Sequence, residues 1–126
     1  MKVQVSISLG ELVDKISILM IKEKNIKDPN KLELVKGELE ILKAELDELK
    51  LKGMEDRLSG LVKVNSELWD IEDDIRVMEK DKDFSEAFVA LARSVYKTND
   101  KRFELKNAIN DSYGSQIKEV KSYEDY

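Results

Sequence analysis

The sequence predicts a mainly α fold, a four-helix bundle-like domain over residues 1–126, with a short N-terminal strand whose candidate partner is a short C-terminal strand. Three observations support this prediction. The chain contains five glycines and one proline, so few residues interrupt its helices. Hydrophobic residues make up 41% and charged residues 39%, a balance typical of amphipathic helices around one core. Apolar residues recur at helical spacing in four long segments.

The first segment combines a strand pattern with a helix start. Apolar and polar side chains alternate over residues 1–7, as they do in a half-buried strand. Ser8 and Glu11 then have the spacing of a capping box, which predicts a first helix from Ser8 to about Lys27. This helix is apolar on two opposite sides, and such a helix is usually packed between two neighbours, inside its own fold or between subunits.

The second helix has the clearest start signal in the chain. Asp28 is the predicted N-cap and Pro29 the first helical residue, where a missing N–H is tolerated. Gly53 is the predicted stop. Gaps of three and four residues alternate along the apolar line of this helix and form a coiled-coil seam: Leu32, Val35, Leu39, Leu42, Leu46 and Leu49. We therefore expect a homo-oligomer, with a homodimer formed through helix one or through this seam.

Helices three and four complete the bundle. The third is predicted over 55–80, with residues 59–60 as an alternative start. A second capping box, at Asp83 and Glu86, predicts the start of the fourth helix, which continues to about Tyr113 and is followed by a glycine. The segment 117–120 is the candidate C-terminal strand, and since two strands alone are marginal, it needs helices or a partner chain beneath it.

Composition excludes several classes of function. The chain has no cysteine and no histidine, which argues against zinc and copper sites and against Ser-His-Asp or Cys-His catalysis. It has no glycine-rich phosphate loop. The net charge is −5 and the basic residues are interspersed among acidic ones, so neither nucleic acid nor a membrane is an expected partner. Without an apolar run of bilayer length or a signal-peptide pattern, the expected location is the cytoplasm.

Polar residues continue an apolar line on the fourth helix. The line begins with Phe88, Ala92 and Val95, and the same spacing then reaches Asn99, Arg102 and Lys106. Burying a polar group without a partner costs about 2 kcal/mol or more. These three side chains are therefore expected to meet polar partners on helices one and three.

The resulting hypothesis is a polar pocket between helices one, three and four. It would hold a small anionic ligand or a protein partner, with the basic residues supplying charge and the tryptophan forming a wall. Two alternatives stay open: a structural network of ion pairs, and a purely structural oligomer without a ligand. The candidate ligand-binding residues are Glu11, Asp14, Lys15, Trp69, Glu72, Asp73, Arg76, Asn99, Arg102 and Lys106.

A metal site is an alternative reading of the acidic residues. No cofactor is expected under the preferred hypothesis. If a metal is bound, hard oxygen ligands from Asp14, Asp70 and Asp73 would suit Mg²⁺. The corresponding activity would be that of a Mg²⁺-dependent nucleotide pyrophosphohydrolase, which would also use Glu11.

Three segments carry a resemblance to a known family. They are SLGELVDKISIL near the start, ELWDIEDDIR in helix three, and LARSVYKTNDKRFELKNAIN in helix four. Together they resemble a family of small helical proteins of unknown function from bacteria and tailed phages. The resemblance implies a helical fold and no known activity or cofactor. It also implies that the following residues belong to the family's recurring polar set: Glu11, Asp14, Lys15, Trp69, Asp70, Glu72, Asp73, Arg76, Tyr96, Lys97, Asn99, Asp100 and Arg102.

A second, partial resemblance is to the all-α nucleoside triphosphate pyrophosphatases. Those enzymes hold Mg²⁺ over a pyrophosphate with acidic pairs on facing helices. Glu11 with Asp14, the acidic residues 67–73 and the segment YKTND are similar to that layout. The Glu-x-x-Glu element of those enzymes is missing, and Glu67 lies away from the apolar line of its helix.

Overall fold

The computed structural model describes all 126 residues and contains four helices. This confirms the mainly α prediction. None of the helices combines the length and the apolar character that crossing a membrane requires. The helices are α1 (Leu9–Asn25), α2 (Pro29–Glu48), α3 (Met54–Lys80) and α4 (Glu86–Ser112).

The prediction of terminal strands is wrong. Residues 1–7 and 117–120 have no regular structure, and no strand occurs elsewhere in the chain. Alternation of apolar and polar side chains makes a strand only where a neighbouring backbone supplies hydrogen-bond partners. Val3 and Val5 are exposed instead of packing on the helices. The C-terminal segment is attached to the helices through the side chains of Lys118 and Glu119, and no backbone lies beside it to form a ladder.

Three of the predicted helix ends are confirmed by their hydrogen bonds. Ser8 Oγ accepts a bond from the Glu11 amide at 3.1 Å, and Asp28 Oδ1 accepts one from Asn30 at 2.9 Å. At the end of α4, Gly114 has φ of +66°. This left-handed residue turns the chain back so that the next amide bonds to a carbonyl of the last helical turn.

Other boundaries differ from the prediction. The first helix ends at Asn25 instead of Lys27, and α2 ends at Glu48, several residues before Gly53, which lies directly before α3. The capping box proposed for α4 is also wrong. Asp83 accepts a bond from the Ser85 amide at 3.1 Å, so its carboxylate closes a turn before the helix and Ser85 takes the N-cap position.

Helix α1 is the centre of the fold. It packs against all three other helices, which explains why it is apolar on two sides. Helices α3 and α4 form a hairpin, whereas α1 is the only helix that approaches α2. The seam of α2 is used inside the chain, because Leu39 and Leu46 are buried in the core. The centre of that core contains Val13, Ile16, Leu61 and Ile109.

The α3–α4 hairpin extends beyond the rest of the molecule. Its helices have 27 residues each and α1 has 17, so at 1.5 Å per residue the hairpin is about 40 Å long and α1 about 25 Å. No residue between Trp69 and Lys97 is buried. We call this uncovered half of the hairpin, residues 69–97, the arm.

Candidate functional site

A buried carboxylate is the centre of the polar network. Asp14 of α1 is inaccessible to solvent, and Arg102 of α4 binds it through two parallel hydrogen bonds. Arg102 Nε donates to Oδ1 at 2.9 Å, and Nη2 donates to Oδ2 at 2.5 Å. The hydrogen bonds to Asp14 raise the pKa of Arg102, although partial burial opposes them. The planar guanidinium matches both oxygens, as it does in strong ion pairs.

Helix α3 contributes a second partner to this carboxylate. Asn65 Nδ2 donates to Asp14 Oδ1 at 2.9 Å and to Ser17 Oγ at 2.7 Å. Ser17 in turn donates to the backbone carbonyl of Asp14 at 2.6 Å. All these groups are buried except part of the arginine. The buried charge of Asp14 on α1 is therefore satisfied by bonds from α3 and α4, which fixes how the three helices pack against one another.

A second ion pair lies one turn further along α4. Lys106 is buried, and its Nζ contacts Glu11 Oε2 at 2.8 Å and Glu119 Oε2 at 2.9 Å. Burial lowers the pKa of Lys106, but the hydrogen bonds to the two carboxylates outweigh it, and the net pKa is raised. The ammonium therefore stays charged inside the fold, and Glu11 serves this ion pair instead of closing the predicted capping box.

The two helices that carry these ion pairs approach closely at a glycine. Gly10 N donates to Asn110 Oδ1 at 2.7 Å, whereas Asn110 Nδ2 is buried and has no partner in the chain. A Cβ on Gly10 would lie 2.5 Å from the carbonyl oxygen of Lys106. Only glycine fits between these backbones.

Six of the ten predicted residues line one open groove at the base of the arm. The groove has a volume of about 430 Å³, and α1 contributes Ile18 and Ile21 to it. Its charged rim includes the exposed ion pair between Glu72 and Arg76. The predicted residues that line this groove are Trp69, Glu72, Asp73, Arg76, Asn99 and Arg102.

The other predicted residues lie elsewhere. Glu11, Asp14 and Lys106 belong to the buried network, and Lys15 is exposed without an ion-pair partner. Asp70 is also exposed. No group of three or more acidic side chains is placed to hold a metal ion, so the proposed set of Asp14, Asp70 and Asp73 is not brought together.

A second cleft, of about 390 Å³, lies between α4 and residues 115–126, which we call the C-terminal strap. Besides the contact of Glu119 with Lys106, the strap is fastened at Asp100. Lys121 Nζ contacts Asp100 Oδ1, and the Tyr126 hydroxyl donates to Oδ2, each at 2.6 Å. The Tyr126 ring also packs edge-on against Tyr96, with ring centres 5.0 Å apart.

The hydrogen bond between Tyr126 and Asp100 should change the ionisation of the Tyr126 hydroxyl, and this can be tested. It raises the pKa of Tyr126 to about 12, because a phenolate beside a carboxylate is disfavoured. We expect Asp100→Asn to lower the pKa of Tyr126 towards the ordinary value of 10.0. Ultraviolet titration of tyrosinate measures this, with Tyr126→Phe identifying the signal. Identical titration curves for wild type and Asp100→Asn would contradict the contact.

Three residues of the buried polar network were not among the ligand-binding residues predicted from the sequence: Ser17, Asn110 and Glu119. Asn110 lies four residues after Lys106 on the same side of α4, so extending the polar line by one turn would have found it. Ser17 interrupts the apolar run 16–21 of α1, which is a signal of the same kind. Glu119 has no such signal, since no periodicity relates the strap to the helices.

One comparison with known proteins identifies the family. A model described as a family of unknown function (DUF6165) matches residues 1–126. The chain belongs to this family. The match confirms the predicted membership of a family of unknown function, and it gives the DUF6165 chain no ligand, partner or reaction. No curated protein and no solved structure matches it.

Proposed function

We propose that this protein is an interaction protein that binds a partner protein along the open side of its arm. The observation that carries the proposal is an inverted pattern on α4. Along one helical line of α4, the polar residue Lys106 is buried and the apolar residue Ala92 is exposed. The other members of the line are half-buried: Phe88, Val95, Asn99 and Arg102.

In the body of the protein, this line lies between α1 and the C-terminal strap. Arg102 and Lys106 bind carboxylates of α1, so this side of α4 points toward α1 in the body of the protein. Helix α1 ends at Asn25, and no other helix continues its path over the arm. Ala92 is consequently exposed, although apolar side chains on such a line are normally buried.

More apolar side chains are exposed on the arm. Val77 and Phe84 are each more than half exposed, at 58% and 57%, and Val89 and Tyr96 follow at 51% and 40%. Single exposed hydrophobic residues are common, but several on one uncovered element indicate an interaction surface. A partner that continued the path of α1 would pack along Phe88, Ala92 and Val95 and reach the groove beside Trp69. Val77 points to another side of α3. Buried tryptophans are frequent anchors of protein interfaces.

The charges favour a protein partner over a small anion. Arg102 and Lys106 already bind Asp14, Glu11 and Glu119. An anionic ligand would have to displace one of these carboxylates. In the groove, Arg76 is paired with Glu72. The Mg²⁺-dependent alternative has no acidic cluster to support it.

A pair of alanine substitutions tests the proposal. Ala92 and Ala90 are both exposed on α4, but two residues apart they point about 160° away from each other. Immobilised wild-type protein and the Ala90→Glu variant should retain the same proteins from an extract of the source cells, and Ala92→Glu should lose them. Thermal melting should be unchanged in both variants, because neither position is buried. If Ala92→Glu retains the same proteins as Ala90→Glu, the arm is not the binding surface.

A further inference from the structure

We infer that the C-terminal strap is a displaceable cover, and that the partner protein inserts an extended segment in its place along α4. The inference rests on the proposed function, since it names the kind of segment that binds beside the arm. The strap covers a row of α4 side chains that we call the strap site: Tyr96, Asp100, Phe103 and Lys106. This row adjoins the line of α4 that carries Ala92, because Val95 and Asn99 line the same cleft.

The strap lies on α4 in the manner of a bound peptide. Three ion pairs join it to the helix in antiparallel order: Lys118 with Asp111, Glu119 with Lys106, and Lys121 with Asp100. Tyr126 then reaches Asp100 with its hydroxyl and Tyr96 with its ring. After Ser115, no backbone group of the strap is bonded to the backbone of a helix. Side chains therefore define where the strap lies.

These contacts hold the strap weakly. Glu119, Lys118 and Asp111 are all exposed, and exposed ion pairs contribute little to stability. The apolar side chains of the strap are not buried either, since Val120 and Tyr123 are exposed. The conformational entropy lost by ordering the segment opposes all of these contacts. We therefore expect the attached and released forms to be close in free energy, so that a competing segment can displace the strap.

The strap site remains satisfied when the strap leaves. Lys106 is buried between two carboxylates, and Glu11 of α1 still neutralises it when Glu119 moves away. Arg102 is likewise bound by Asp14 of α1 and does not depend on the strap. Displacement therefore leaves no buried charge without a partner, which would otherwise make opening costly.

The contacts of the strap specify the chemistry of the segment that replaces it. An acidic side chain would bind Lys106, and a basic one two residues later would bind Asp100, as Glu119 and Lys121 do in the closed form. Residues two apart in an extended chain point to the same side. Phe103 adds an aromatic face, since the Lys121 ammonium lies 5.2 Å from the centre of its ring. Such a segment replaces all of these contacts together, which a small anion cannot do.

A peptide added in trans tests whether the strap site accepts a separate segment. The probe is a fluorescent peptide with the sequence of residues 115–126, and fluorescence anisotropy at low salt measures its binding to the full chain. The double variant Glu119→Gln/Lys121→Gln releases its own strap. It should therefore bind the peptide about tenfold more tightly than wild type, in which the tethered strap competes. A peptide with the same two substitutions should not bind.

The matched control is Glu124→Gln, which changes an exposed strap residue outside these ion pairs. This variant should bind the peptide as weakly as wild type. Helical circular dichroism should be the same for all of the proteins, because no core side chain is changed. Equal binding by the double variant and wild type, or no binding by either, would overturn the inference.

The retention experiment separates this inference from the proposed function. If the partner displaces the strap, the double variant should retain more of the proteins that Ala92→Glu loses. Retention that depends on Ala92 but is equal in wild type and the double variant would overturn displacement of the strap, and binding along the arm would stand. Retention that does not depend on Ala92 would overturn the proposed function itself.

Discussion

Arg102→Met is expected to lower the free energy of unfolding by about 3–5 kcal/mol, because it leaves the buried carboxylate of Asp14 without its charged partner. Methionine has similar volume but no donor, so the remaining bond from Asn65 cannot neutralise the charge. Chemical denaturation of wild type and variant measures the difference. Because Arg102 also joins α4 to α1, the loss should affect the whole fold and shift the entire unfolding transition.

The matched control is Arg76→Met, which removes an arginine from an exposed ion pair with Glu72. Its cost should be below about 1 kcal/mol. Comparable losses in the two variants would show that burial of Asp14 is not what makes the pair important. A gain in stability from Arg102→Met would point to a different role, in which the polar network sacrifices stability for binding.

Gly10→Ala is expected to destabilise the protein by about 2–3 kcal/mol, against the usual preference of helices for alanine. The new Cβ would meet the carbonyl oxygen of Lys106, which belongs to the backbone of α4 and cannot rotate away. Helices α1 and α4 would have to separate. That movement would stretch the bond between Gly10 and Asn110 and the ion pair between Glu11 and Lys106.

Gly37→Ala is the control for this prediction. Gly37 is also helical, but it is exposed on α2 and a Cβ there meets no atom within 4 Å. Alanine at this position should raise the free energy of unfolding by about 0.5–1 kcal/mol. The two substitutions should therefore shift the denaturation midpoint in opposite directions. A stabilising Gly10→Ala would mean that the helices are further apart than described here.

Helical periodicity predicted the four helices well, whereas the terminal strands and the cap of α4 were predicted wrongly for two different reasons. The seam of α2 and the polar line of α4 are local patterns, and both are found on the sides of the helices that pack. The strand pattern at 1–7 is equally clear in sequence, but a strand depends on a second backbone that no local pattern supplies. The prediction of Asp83 as the N-cap of α4 failed because Asp83 and Ser85 are both suitable N-cap residues. Short-range spacing does not decide which of the two takes that position.

The candidate site was predicted only in part, because local patterns do not show where neighbouring helices begin and end. Helical spacing selected Arg102 and Lys106 because they continue an apolar line of α4, and it offered Asp14 as a polar partner on α1. The structure joins Arg102 to Asp14 and Lys106 to Glu11. It also grouped them with Trp69 and Arg76, which lie in a separate open groove. The sequence identifies which side of a helix is polar, but not how far along a neighbour that side extends. The length difference between α1 and the hairpin separates the buried network from the open surface.

The single connection of α2 to the rest of the fold has an energetic consequence. Since α2 packs on α1 alone, its release would leave the polar links among α1, α3 and α4 intact, with a three-helix unit still held together by Asp14. The cost of that partial opening is set by one helix–helix contact, whereas loss of α1 would dismantle the whole protein. We therefore expect local opening of α2 to cost less free energy than opening of the unit formed by α1, α3 and α4.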